Sequence, residues 1–139
     1  MRHPAFALTA LVLVGAACVP SPKQDYTLEQ IGQLDSLAEL MRVQAQAADP
    51  LFKKRKRSSF SEGDYQEMLR AAPRLEATAT TLARRFGTSR KQPFGELATK
   101  LRNGSAELLA AAQAGQTPRV SAALEAMHDA CASCHRAFK

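Results

Sequence analysis

Four stripes of apolar residues, spaced at steps of three and four, constrain the fold of this 139-residue chain more than any other feature. Such spacing places the apolar side chains on one face of an α-helix. Four helices joined by short connections pack most simply around a common core, so the sequence predicts an all-α, antiparallel four-helix bundle. The stripes are Ile31, Leu34, Ala38, Met41, Ala45 and Ala48; Tyr65, Met68, Ala72, Leu75, Ala79, Leu82 and Phe86; Phe94, Leu97, Leu101, Leu108 and Ala112; and Val120, Leu124, Met127, Cys131, Cys134 and Phe138.

Capping residues and prolines predict where the first helix begins and ends. Thr27 with Gln30 three positions later has capping-box spacing and predicts the start. Asp49-Pro50 predicts the end, because the residue before a proline is pushed away from helical dihedral angles. The first helix is therefore expected to run unbroken to the neighbourhood of Pro50.

The other three helices have similar signals. Ser61 with Asp64, and Gly87, predict the ends of the second helix, which Pro73 is expected to kink or divide. The third is expected to run from about Gln92-Pro93 to Gly115, with a weak point at Asn103-Gly104. The fourth is expected to take Thr117 as its N-cap and Pro118 as its first helical residue.

Residues 1–17 have the features of an export signal. Arg2 and His3 precede an apolar run from Ala5 to Val14, which is too short to span a bilayer comfortably, and small residues follow it. The segment ending at Cys18 resembles a bacterial lipoprotein signal, so Cys18 is a candidate for lipidation and a membrane tether, with ordinary signal cleavage as the alternative. The expected organisation is a signal at 1–17, a linker at 18–26 and one domain at 27–139. A periplasmic or otherwise exported protein is expected.

Cys131-Ala132-Ser133-Cys134-His135 is a C-x-x-C-H sequence, which is typical of c-type haem attachment. The two thiols form thioethers with the haem vinyl groups, and the histidine binds the iron. On a helix, residues three and four apart project from one face, so this spacing suits a single haem. The sequence predicts one covalent haem c, with Cys131 and Cys134 as attachment residues and His135 as proximal ligand.

Other uses of a cysteine pair need features that this sequence lacks. A thioredoxin-like site would need a βαβ setting, and no strand pattern is visible. A structural zinc site would need four ligands, whereas His128 is the only other histidine after residue 17. A haem-free helical interaction protein is the remaining alternative.

The phasing of the helices, the turn at residues 114–117 and the ending from Cys131 to Lys139 resemble the class II cytochromes, the cytochrome c′ family and its low-spin relatives. The resemblance implies an exported four-helix bundle with the haem near the C-terminus. It also implies that Lys139 lies near a haem propionate. Family members often form homodimers through their first two helices, and the charge run beside that surface leaves both a monomer and a homodimer open here.

The distal side of the haem departs from the family pattern. The Arg-x-x-x-Met or Arg-x-x-x-Leu of family members is missing from residues 27–48. An antiparallel first helix would face the haem with Leu34, Leu37, Ala38 or Met41. Met41 is the candidate distal ligand because it alone among these can donate to iron, and core packing is its alternative role. His128 is expected at the haem edge or the surface.

Two functions fit this chain. The first is one-electron transfer by a carrier that is not an enzyme. The second is binding of nitric oxide or carbon monoxide at an open, five-coordinate iron, which would follow if an aliphatic residue faced the iron.

Charge bears on the partners. Without residues 1–17, 18 Lys and Arg against 13 Asp and Glu leave a net charge of +5, which suits acidic redox partners or anionic surfaces. The run of Lys and Arg at residues 53–57 is interpreted as a solvated loop or as a docking patch for such a partner. Nucleic-acid binding is not expected of an exported protein.

Overall fold

The computed structural model describes residues 25–89 and 93–138. Within these ranges the chain is helical and contains no strand, so the all-α prediction is confirmed. The predicted export signal, Cys18 and Lys139 lie outside the described residues. The described helices are α1 (Leu28–Gln33), α2 (Leu37–Phe52), α3 (Glu62–Phe86), α4 (Phe94–Gln113) and α5 (Thr117–Ala137).

The first apolar stripe forms two helices, so the prediction of one unbroken helix was wrong. α1 begins with the expected capping box of Thr27 and Gln30, and it ends where Leu34 takes an extended conformation (φ −60°, ψ 132°). Ser36 then caps α2, because its hydroxyl accepts a hydrogen bond from the Glu39 N–H at 3.3 Å. A serine cap satisfies a donor that would otherwise be unpaired at a helix start, and it therefore stabilises a new helix here.

α2 ends at Phe52, two residues past the end predicted near Asp49-Pro50. The proline removes one helical donor, yet the helix continues to Phe52, and the N–H of its C-cap Lys53 donates to the Asp49 carbonyl at 3.3 Å. Leu51 is fully buried in the core and Phe52 packs against it. This burial holds the last turn of α2 in place.

The two positions expected to weaken later helices are accommodated without a break. α3 has the predicted capping box of Ser61 and Asp64, continues past Pro73 and is capped by Gly87, so it is not divided. α4 passes through Gly104, where an added Cβ would lie 2.6 Å from the Met127 Cγ. The glycine therefore permits close contact between α4 and α5.

α5 begins one residue away from the predicted position. Gln116 is the N-cap, and Thr117 is the first helical residue, with its hydroxyl 2.8 Å from the Tyr65 hydroxyl. Pro118 lies within the first turn, where its missing N–H costs no helical bond. Gly115 supplies the turn before it with a left-handed φ of 62°.

The helices pack around two neighbouring clusters of buried side chains. α4 packs extensively against α3 and α5, whereas α2 packs mainly on α3 and meets α5 over a short stretch. A gap between α2 and α5 follows from this unequal packing. Among the described helices, none combines the length and the apolar character needed to cross a membrane.

Candidate functional site

The last two turns of α5 carry the Cys-x-x-Cys-His sequence. Cys131 and Cys134 are partly buried and His135 is exposed. Cys131 packs against one core cluster and Cys134 against the other. The Phe138 ring meets the Phe94 ring edge-on at 5.3 Å, which fixes this end of α5 against α4. The three predicted haem-binding residues therefore lie together where the two clusters meet.

An open groove of about 610 Å³ lies between α2 and α5. Its volume falls within the range of small-molecule and cofactor sites in proteins. Met41, Gln44 and Phe52 line it from α2, and His128, Cys131 and His135 line it from α5.

A narrower cleft lies on the inner side of the same residues. Its inner wall is apolar and comes from α3 and α4, through Leu82, Phe94, Leu97, Ala98 and Leu101. Four residues line both the groove and the cleft: Met41, Gln44, Cys131 and His135. The boundary between the two spaces is therefore formed by two residues predicted to bind a haem, by the candidate distal ligand Met41, and by Gln44.

Met41 lies on α2 and reaches the same two spaces as Cys131 and His135. It is partly buried and packs in the cluster that includes Cys134 and Phe138. The structure thus brings Met41 to the same two spaces as His135, and its role as an iron ligand stays a prediction. Of the other distal candidates, Ala38 lines only the open groove, while Leu34 and Leu37 pack against the core cluster and line neither space.

Cys131 is held as a neutral thiol. Burial raises its pKa to about 11, and the nearby Cys134 and Asp49 act in the same direction. The Gln44 amide opposes this shift by donating a hydrogen bond to the sulfur, with 3.5 Å between Nε2 and Sγ. Within the described residues, neither Cys131 nor Cys134 forms a disulfide.

Gln44 is a site residue that the sequence analysis missed. Its side chain is buried, with 8% of its surface exposed. Its Oε1 is shielded from solvent and has no hydrogen-bond partner among the described residues. One signal was available, because Gln44 follows Met41 by three positions and so shares its helix face.

His128 lines the open groove two helical turns before His135, and its expected place at a haem edge stays a prediction. Its ring meets the Phe52 ring edge-on at 5.4 Å. Glu125, His128 and Asp129 hold possible metal-ligating atoms within 4.8 Å of one another, a cluster that the sequence analysis did not anticipate. Glu125 already pairs with Arg55 and Lys56 at 3.6 Å.

The basic run at residues 53–57 follows α2 directly and is tied to α3 and α5 by ion pairs. Lys54 bonds to Asp64 at 2.7 Å and also to Glu67, while Arg57 lies 3.3 Å from Asp64. Arg55 and Lys56 reach Glu125 on α5. The loop is therefore anchored beside the Phe52 and His128 end of the groove.

The residues of this site fit a covalently attached haem. Two thiols and one imidazole lie on one helix, and an open groove and an apolar wall lie beside them. Gln44 lines both spaces, and its buried amide oxygen has no hydrogen-bond partner among the described residues. A flat, largely apolar macrocycle with a metal centre matches that combination of donors and surfaces.

Comparison with protein families finds a match over most of the chain. The model of the family described as cytochrome c′ matches residues 38–139, from the start of α2 to the last residue. Comparisons with curated proteins and with solved structures find no match.

Proposed function

Because the chain belongs to the cytochrome c′ family, we propose that it is a one-electron carrier with one haem c in an antiparallel four-helix bundle. Cys131 and Cys134 would hold the haem through thioether bonds, and His135 would bind its iron. The haem supplies reversible one-electron chemistry when bound.

The position of Met41 is the observation that favours electron transfer over gas binding. It lines both spaces that His135 lines, and it reaches them from α2, across from α5. A thioether on one side and an imidazole on the other is a ligand pair of low-spin electron carriers. If Met41 and His135 both bound the iron, no site would be left for a gas.

The apolar wall has its own part in this function. Leu82, Phe94 and Leu97 are buried and would cover the inner face of the ring. Their side chains exclude water from that face, and burial in a medium of low polarity shifts the reduction potential.

The partner is proposed to present an acidic surface to the end of the groove. The loop at residues 53–57 carries five cations, and the carboxylates paired with it are Asp64, Glu67 and Glu125. An excess of positive charge beside Phe52 and His128 would steer an acidic protein to a short electron path.

The proposal includes the cellular location of the protein. Residues 1–17 would direct export to the periplasm, and Cys18 would carry a lipid that tethers the domain to a membrane. Lys139 would approach a haem propionate. A homodimer formed through the first helices is compatible with these roles.

Carbon monoxide binding to the reduced protein tests the function. With Met41 on the iron, the low-spin reduced spectrum should stay unchanged on mixing, whereas Met41→Leu should give an immediate carbon monoxide spectrum. Met68→Leu is the matched control, because Met68 is fully buried and lines neither space. A prompt shift in the unmodified protein would instead favour nitric oxide or carbon monoxide binding.

A further inference from the structure

The amide oxygen of Gln44 has no hydrogen-bond donor among the described residues. Its Nε2 donates to the Cys131 sulfur, which leaves Oε1 as the free end of the amide. That oxygen is buried and accepts no hydrogen bond from any described residue. A buried acceptor without a donor is costly, so native proteins rarely keep one unless water or a ligand supplies the donor.

The side chains around Gln44 limit which group can be that donor. The inner wall beside Gln44 consists of aliphatic and aromatic side chains, such as Leu97 and Leu101, which donate nothing. A metallated haem has no N–H left, since its four pyrrole nitrogens bind the iron and its ionised propionates only accept. Neither this wall nor the haem supplies an O–H or N–H group, and a small molecule that carries one can fill that role.

Gln44 lies one helical turn beyond Met41 on the same face of α2, and both residues line the spaces that His135 lines. We propose that Gln44 sets which small molecules can replace Met41 opposite His135: its Oε1 would accept a hydrogen bond from water while Met41 is in place, and from the N–H of a neutral nitrogen base that takes the place of Met41. The inference rests on the proposed attachment of haem to Cys131 and Cys134. It adds a preference for hydrogen-bond donors to a site that is otherwise apolar.

The test compares imidazole with 1-methylimidazole, which binds iron through the same type of nitrogen but lacks the N–H. Both are titrated into the ferric holoprotein and followed by the visible spectrum. The titrations are made with Met41 present and in Met41→Ala, where the axial position is vacated. Gln44→Leu removes the amide at similar size, and Gln46→Leu, on an exposed position of the same helix, is the control.

One hydrogen bond should favour imidazole about threefold to tenfold over its methylated form. Gln44→Leu should reduce the ratio of the two affinities to the value that the size of the methyl group alone produces. Gln46→Leu should leave the ratio unchanged. A ratio of affinities is insensitive to a general loss of stability, because both ligands bind the same folded protein.

Two results would overturn the inference while leaving haem attachment intact. One is an unchanged preference in Gln44→Leu, and the other is failure of both bases to bind the Met41→Ala holoprotein. A chain that carries no acid-stable haem would defeat the proposed function as well. That failure is recognised separately, because acid-acetone extraction is done before any titration.

Discussion

Lys54 and Asp64 form a nearly buried ion pair that joins the loop after α2 to the first turn of α3. Their side-chain atoms lie 2.7 Å apart, and the side chains are 17% and 10% exposed. Asp64 also accepts hydrogen bonds from the backbone N–H and the hydroxyl of Ser61, both at 2.9 Å. The basic loop beside the groove is therefore fixed by a carboxylate that has to stay ionised.

Acid should weaken this anchor. The Lys54 ammonium, followed by the Ser61 donors, holds the pKa of Asp64 well below its usual 3.8. A carboxyl with a lowered folded-state pKa stabilises the protein above its unfolded pKa, and this contribution is lost as the pH falls through the folded value. Below about pH 4, thermal unfolding should therefore shift to lower temperature, and Asp64→Asn should flatten that dependence.

A second, exposed carboxylate provides the control for this experiment. Glu62→Gln, at an exposed position in the same first turn, should keep the acid dependence of the unmodified chain. At pH 7, Asp64→Asn should lower Tm by a few degrees, because it leaves Lys54 with Glu67 alone. Equal Tm values for Asp64→Asn and the parent at pH 7 would show that the anchor contributes nothing.

Gly104 and Gly32 should respond in opposite directions to alanine. An added Cβ at Gly104 would lie 2.6 Å from the Met127 Cγ, and Met127 is fully buried, whereas nothing lies within 4 Å of a Cβ at Gly32. Gly104→Ala should destabilise the fold by about 1–3 kcal/mol through overpacking. Gly32→Ala should stabilise it by about 0.5–1 kcal/mol through helix propensity. Urea unfolding measures both, and a stabilised Gly104→Ala would disprove the close contact of α4 with α5.

Charge near the groove should control reaction with an anionic oxidant. Oxidation of the reduced protein by hexacyanoferrate(III) should slow with added salt, and Lys56→Glu should lower its second-order rate constant several-fold at low salt. Lys56 is suitable because its side chain is 77% exposed. Lys100→Glu, an equal charge change at an exposed α4 position outside the groove, is the control. Equal slowing in both variants would assign the effect to net charge rather than to this surface.

Local signals in the sequence predicted most of the helices and singled out the residues proposed to attach a haem. The capping boxes at Thr27 and Ser61 and the helix stop at Gly87 depend on neighbours within a few positions, and they were confirmed. The Cys131 to His135 spacing is also local. The break at Leu34 was missed although Ser36 precedes Glu39 at capping spacing, because the apolar stripe continues across it.

The features that local signals did not predict depend on contacts between distant parts of the chain. The last turn of α2 persists past Pro50 because Leu51 is buried against residues of other helices. Gln44 belongs to the site because α2 brings it to Cys131, 87 positions later in the sequence. Neither the groove nor the unpartnered Oε1 can be read from a local pattern, since both arise from how α2 and α5 pack.

Covalent haem attachment is the central claim, and the mass of the mature chain tests it most directly. Protein co-expressed with c-type maturation factors should gain the mass of one haem and retain its colour through acid-acetone extraction. One thioether still holds haem covalently, so Cys131→Ala and Cys134→Ala should each lower the yield of extraction-resistant haem, and the double variant should retain none. An unmodified chain whose mass contains no haem, or whose haem is extracted completely, would contradict the account.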